Sequence, residues 1–229
     1  MSTRLVIDNA NQLRELGDQP QGIRIMARII SYLFHPVFVP VYVLLFLVYV
    51  HPAVFAGASS WDKMKLLFQG VLMFTFFPII TILLLKAVGF IQSIFLSTQR
   101  DRIIPYIACM IWYFWIAYVW NNLPDTPLEA KIFAAAVFIA SIIGQMANIY
   151  FRISMHSLAM GVAVCFLVIL GFIQQANMGM YISIGVLVAG LVCSSRLIVS
   201  DHSTKEIYWG FVGGVAAQLV AYLVKGLAY

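Results

Sequence analysis

Ile103-Ile-Pro-Tyr-Ile-Ala-Cys-Met-Ile-Trp-Tyr-Phe-Trp-Ile-Ala-Tyr-Val-Trp-Asn121 contains no charged residue. At 1.5 Å of rise per residue such a run reaches about 28 Å as a helix, close to the roughly 30 Å of a bilayer's hydrocarbon core. The stretch from Ile132 to Phe151 is likewise free of charge. In lipid every backbone N–H and C=O must be satisfied within the segment, so runs of this kind are read as membrane-spanning helices. Working outward from these two, seven segments have the apolar length to span, at about 29–50, 65–90, 103–121, 130–151, 157–174, 179–199 and 205–227. The segment 157–174 is the shortest. The fold class expected is all-α, a polytopic membrane bundle of six to seven helices.

Composition agrees. Hydrophobic residues make up 62% of the 229 and charged residues 10%, against about 45–50% and about 25% in soluble domains. One transmembrane domain over 29–229 is expected, preceded by a polar arm over 1–28. The arm carries Arg4, Asp8, Arg14, Glu15, Asp18, Arg24 and Arg28. It lacks the apolar core of a cleavable signal, and its end suits an interfacial helix. The net charge of +5 comes without a basic, aromatic-interleaved surface, so nucleic acid is not an expected partner. Cys109, Cys165 and Cys193 lie in apolar runs without metal-ligand spacing and read as small buried hydrophobes.

Local signals punctuate the spans. Thr126-Pro127-Leu-Glu129 has the pattern of a capping box with a first-turn Pro, and Ser59 with Asp62 is a less complete version. Pro36, Pro40 and Pro78 are expected to kink their helices. Gly210 and Gly214, four apart, suit close helix packing. Trp112, Trp115, Trp120, Tyr106, Tyr113 and Tyr118 read as interface belt and packing.

Three polar clusters interrupt the apolar pattern: Ser97-Thr-Gln-Arg100-Asp101-Arg102-Ile-Ile-Pro105, then Arg152-Ile-Ser154-Met-His156, then Ser195-Arg196 through His202 to Glu206. Each pair is separated by two spans, so all three fall on one side of the membrane and are able to converge. Charge beside a span is costly unless used, which makes the set a candidate site. His202 and Glu206 are i, i+4, the spacing at which a carboxylate orients an imidazole. An oriented imidazole is a nucleophile, and a guanidinium is a fork for phosphate oxygens. Each residue also has a structural alternative. Arg100 and Arg102 suit snorkelling to headgroups, Ser154 suits a helix cap, and Ser203-Thr-Lys-Glu206 is itself a capping box. His35 and His51 read as interface residues.

The third cluster resembles the type-2 phosphatidic acid phosphatase superfamily, whose motif there is Ser-Arg, five residues, His, three residues, Asp. Ser195, Arg196 and His202 match, with Glu206 in place of the Asp. The family's Pro-Ser-Gly-His is represented by Ile153-Ser154-Met155-His156, which keeps the Ser and His. Its Lys, six residues, Arg-Pro is represented by Arg102 with Pro105 nearby, and the Lys position falls on Phe95. The resemblance spans about residues 100–210. It implies a lipid phosphate substrate, His202 as the nucleophile that becomes a phosphohistidine, Glu206 as its orienting group, and His156 as acid and base. It further implies that Arg102, Arg196 and Ser154 bind phosphate, with Ser195 beside them and Arg100 or Arg152 supplying the missing Lys charge. No metal and no cofactor is implied. The same residues would serve a lipid phosphotransferase or a non-catalytic lipid-phosphate binding or transport protein. Snorkelling charges on a structural membrane protein are the further alternative.

Sidedness divides two arguments. The arm and clusters carry most of the arginines, and the positive-inside rule assigns them to the cytoplasm. The resemblance, to bacterial enzymes of the cytoplasmic (inner) membrane, implies a site on the periplasmic face. The second argument is the more specific, and a periplasmic site is the expectation.

Overall fold

The computed structural model describes residues 4–7, 13–16, 19–51, 53–91, 99–199 and 202–226, with side chains described from residue 19 except at 99–102 and 225–226. Six apolar helices are long enough to cross a bilayer: Ser60–Ala87, Ile103–Asn122, Leu128–Tyr150, Met155–Gln174, Gly179–Val199 and Thr204–Val224. The chain is a polytopic helical membrane protein. The segment 157–174, shortest in the sequence reading, belongs to a full-length helix.

The seventh expected span, 29–50, is not one helix. A short antiparallel hairpin of β1 (Arg4–Ile7) and β2 (Leu13–Leu16) comes first. Helix α1 (Gln21–Leu33) follows, running across the arm boundary expected at residue 28. It is amphipathic, with Ala27 and Ser31 buried and Ile25, Met26, Ile29 and Leu33 exposed, the pattern of a helix lying in a membrane interface. The break falls at His35-Pro36, because the residue before a Pro is pushed out of the helical region. Helix α2 (Val39–Leu45) then runs on as a π turn at Phe46–Val50. Val39–Val50 is a short apolar helix, about 18 Å long at 1.5 Å per residue, less than a bilayer core. Its end packs at the far end of the bundle, where Phe46 meets Tyr181 edge to face with ring centroids 5.1 Å apart.

The second span is α3 (Ser60–Val71) and α4 (Phe77–Ala87), continuous through a π turn at Leu72–Phe76. Pro78 lies one residue into α4, so the π turn takes up the hydrogen bond its ring removes. Pro40 sits in the first turn of α2, where no donor is needed, and does not kink it. The remaining spans are α5 (Gln99–Asn122), α6 (Leu128–Tyr150), α7 (Met155–Gln174), α8 (Gly179–Val199) and α9 (Thr204–Gly226).

One of the two expected caps is present and the other is not. Ser59 does cap α3, accepting from the Asp62 N–H at 3.1 Å. Pro127 takes the N-cap position of α6, with no side-chain cap bond. Glu129, expected in a capping box, is buried and accepts from the Gln174 amide of α7 instead. Burial explains the choice, since a buried carboxylate requires a donor.

The aromatic set divides by depth. Trp120 is fully buried, donating to Gln69 at 2.9 Å; Trp112 stacks on Phe77 and donates to Thr81 at 3.0 Å. Trp115 and Tyr118 face outward as a belt would. Tyr106 and Tyr113 do neither and line the cavity described below.

Helices α7 and α9 form the most extensive contact, and small residues set their separation. A methyl group at Gly210 would overlap Ser157 Oγ and the Ser154 carbonyl. At Gly214 it would overlap the Leu158 carbonyl, and at Gly161 the Phe211 carbonyl. The close packing expected of Gly210 and Gly214 is present, and it brings the first turn of α7 against the first turn of α9. The Ser154 N–H donates to the Glu206 carbonyl at 3.2 Å across that contact.

Candidate functional site

A cavity of about 430 Å³ opens at the end of the bundle where α7 and α9 begin. The second and third sequence clusters meet there. His156, on the first turn of α7, Arg196, near the end of α8, and His202, just before α9, all line it. Of the first cluster, no described side chain lines the cavity. The side chains of Arg100 and Arg102, and residue Phe95, lie outside the described residues.

His202 is held from one side. Its Nδ1 is 2.8 Å from Glu206 Oε2. A carboxylate only accepts, so Nδ1–H donates and Nε2 carries the lone pair in the neutral ring. The side chains are 11% and 23% exposed, enough to shield the pair while leaving the ring at the cavity wall. Glu206 also performs the capping-box function: its Oε2 accepts from the Ser203 N–H at 3.1 Å and its own N–H donates to Ser203 Oγ at 3.3 Å. The two readings of this carboxylate are therefore both realised, because the box places Oε2 at the one point reached by the backbone and by the imidazole four residues earlier.

His156 is held by α1. Its Nε2 is 3.1 Å from the Ser31 carbonyl, which can only accept, so Nε2–H donates and Nδ1 is left for proton transfer.

Three other predicted residues are occupied elsewhere. Ser154, fully buried, caps α7, its Oγ accepting from the Ser157 N–H at 3.4 Å. Ser195 donates to the Val192 carbonyl at 2.7 Å and pairs with Ser31 Oγ at 3.0 Å, linking α8 to α1. Arg152 is exposed and does not line the cavity. None of Ser154, Ser195 and Arg152 is among the described residues that line the cavity.

Sequence reasoning passed over His35, Arg28 and Tyr106, all of which line the cavity. His35 meets His156 edge to face, with ring centroids 5.3 Å apart. The signal available was the His35-Pro36 break itself. A helix ending there puts His35 at the membrane surface on the side shared by the three clusters. His35 is exposed at the cavity; partial burial of its ring, and secondarily the Arg196 guanidinium, lower its pKa from the usual value.

Among the described residues the charged side chains at the cavity are basic. Arg28, Arg196 and three imidazoles line it, and no Asp or Glu does among the described residues. Beneath it a smaller, almost wholly apolar cavity of about 80 Å³ shares Pro36, Tyr113, Ser141 and Met155 with its wall and continues into the bundle. The arrangement suits an anion joined to an apolar tail. No family model, curated protein or solved structure matches this chain.

Proposed function

We propose that this protein is an integral membrane phosphatase that hydrolyses a lipid phosphomonoester or diphosphate through a phosphohistidine on His202. The observation that carries the reading is one cavity in which His202, anchored on Glu206, shares a wall with His156 and Arg196.

The chemistry follows from the ring geometry. His202 Nε2 attacks phosphorus as the bond from phosphorus to the lipid oxygen breaks. Glu206 stabilises the imidazolium that results. His156, protonated at Nδ1, gives that proton to the departing oxygen, the lipid alkoxide from a phosphomonoester or the lipid phosphate from a diphosphate. Water then attacks the phosphohistidine while His156 takes a proton from it, the P–N bond breaks, and inorganic phosphate leaves with His202 restored. Arg196 and Arg28 face the equatorial oxygens, where charge spreads in the transition state. The sequence adds Arg102 and Arg100 to this group. The site belongs to the cytoplasmic membrane and faces the periplasm.

The test is phosphate release from phosphatidate, phosphatidylglycerophosphate and a polyprenyl diphosphate in detergent, by wild type and His202→Ala. Wild type should release phosphate from at least one, and the variant from none. Equal release by both would remove His202 from the mechanism.

A further inference from the structure

The geometry points to His35 as a third imidazole of this site, one that donates a hydrogen bond from Nε2–H to the same phosphate group. The inference deepens the proposed reaction and rests on it.

Three observations carry it. First, position: His35 stands on the cavity wall with Arg28, His156, Arg196 and His202, and meets His156 edge to face. Second, tautomer: the Val37 N–H points at His35 Nδ1 from 3.4 Å, so Nδ1 bears the lone pair and the neutral ring carries its proton on Nε2. Third, division of labour: His202 is turned by Glu206 and His156 by the Ser31 carbonyl, which fixes one nitrogen of each ring on protein. His35 is turned in the same manner by the Val37 amide. His35 and His156 thus each have one nitrogen turned by protein, and both stand with His202 at a common cavity.

The groups around His35 explain why a neutral donor serves here. Arg28 comes from α1, His156 from α7, Arg196 from α8, His202 from the segment before α9, and Tyr106, Cys109 and Tyr113 from α5. With two guanidinium groups already present, a further fixed positive charge would be repelled in the empty site. A neutral imidazole avoids that repulsion, and becomes easier to protonate when a phosphate dianion arrives. The turn that carries His35 leads directly from α1, so the interfacial helix contributes both this donor and the carbonyl that orients His156.

Two variants separate donor from shape. His35→Gln keeps an N–H near the Nε2 position; His35→Phe keeps the ring against His156 without a donor. Orthovanadate, a phosphate-like anion, serves as the binding probe in purified full-length protein through inhibition of phosphate release, with thermal unfolding as the control for folding. The expected result is vanadate inhibition about tenfold weaker in His35→Phe and within about threefold of wild type in His35→Gln, the size of one hydrogen bond to a charged group. As a measurement on wild type alone, the ¹⁵N signals of labelled imidazoles are followed as inorganic phosphate is added, with His35 assigned by its absence from His35→Gln. The His35 Nε2 signal should move together with that of His202. If wild type releases phosphate but His35→Phe matches it in vanadate affinity, or the His35 signal stays still while His202 moves, His35 is not a ligand and the reaction stands. If wild type neither releases phosphate nor binds vanadate, the proposed reaction and this inference fall together.

Discussion

Glu206 serves two partners with one oxygen, and substitution separates them. Glu206→Gln keeps an acceptor for the Ser203 N–H and removes the charge beside His202. Its turnover should fall about 10- to 100-fold, the range for carboxylate partners of metal-bound histidines, with little change in melting temperature. Glu206→Ala should lose both, with the lost cap contributing about 1 kcal/mol of destabilisation. Full activity in Glu206→Gln, alongside a lowered melting temperature in Glu206→Ala, would reduce the residue to a cap. Histidine titration adds a pH dependence. The lowered pKa of His35 means that its unfolded form binds a proton more readily than its folded form. His51 behaves alike: burial lowers its pKa, partly opposed by Glu129. The stability due to the neutral rings is therefore complete above about pH 6.5, the unfolded value. It is lost as pH falls through the folded values. Melting temperature should drop on acidification from pH 7 to pH 5, and less steeply in His35→Gln; identical slopes would show that His35 does not titrate differently on unfolding.

The α7–α9 pair is the element that turns two distant motifs into one site. Its glycines are required for approach rather than for backbone freedom. Gly214→Ala places a methyl on the Leu158 carbonyl, which belongs to a helix backbone and cannot rotate away. We expect destabilisation of about 1–3 kcal/mol, the usual size of overpacking, read as a lower melting temperature in detergent. Gly190, on the exposed face of α8, has open space around it. Gly190→Ala should be neutral or stabilising by up to about 1 kcal/mol, since Ala is the better helix former. If both changes act alike, close approach of α7 and α9 is not what Gly214 provides. The link between α8 and α1 is similarly testable. Ser195→Ala removes the contact to Ser31 and should lower stability by about 1 kcal/mol, with KM for the lipid phosphate unchanged. A raised KM at wild-type stability would return Ser195 to the phosphate ligands.

On the scale of the whole molecule, the short crossing at Val39–Val50 and six longer helices place α1 and the cavity on one side and the α7–α8 turn on the other. Gln21, at the start of α1, and Asn177, in that turn, are both exposed. A site facing the periplasm requires Gln21→Cys to react with an impermeant thiol reagent applied to the outside of cells, and Asn177→Cys not to, each compared with the parent protein. The reverse pattern assigns the site to the cytoplasm and makes the positive-inside count the better guide.

The membrane bundle was legible in the sequence because lipid imposes one rule on each segment by itself: a long uncharged run must satisfy its own backbone. The His202–Glu206 pair was legible for a related reason, since four residues across the start of a helix is a local distance. Ser59 as a cap and the glycine pair on α9 were read from short spacings as well. What only the tertiary structure decided involves contacts between distant parts of the chain. The Ser31 carbonyl reaches His156 across 125 residues, and Ser31 meets Ser195 across 164. No periodicity encodes such pairings. They follow from a break at His35-Pro36 that hydropathy averages away, because the residues on both sides of the turn, from Ile29 to Val50, are mostly apolar. That break separates an interfacial helix from a short crossing, lays α1 against α8, and brings His35 to the cavity. Ser154 and Ser195 carry the hydroxyls that a phosphate site would use, but in the folded chain neither lines the cavity. Proximity in space, which spacing in sequence does not measure, settles which polar groups line the cavity.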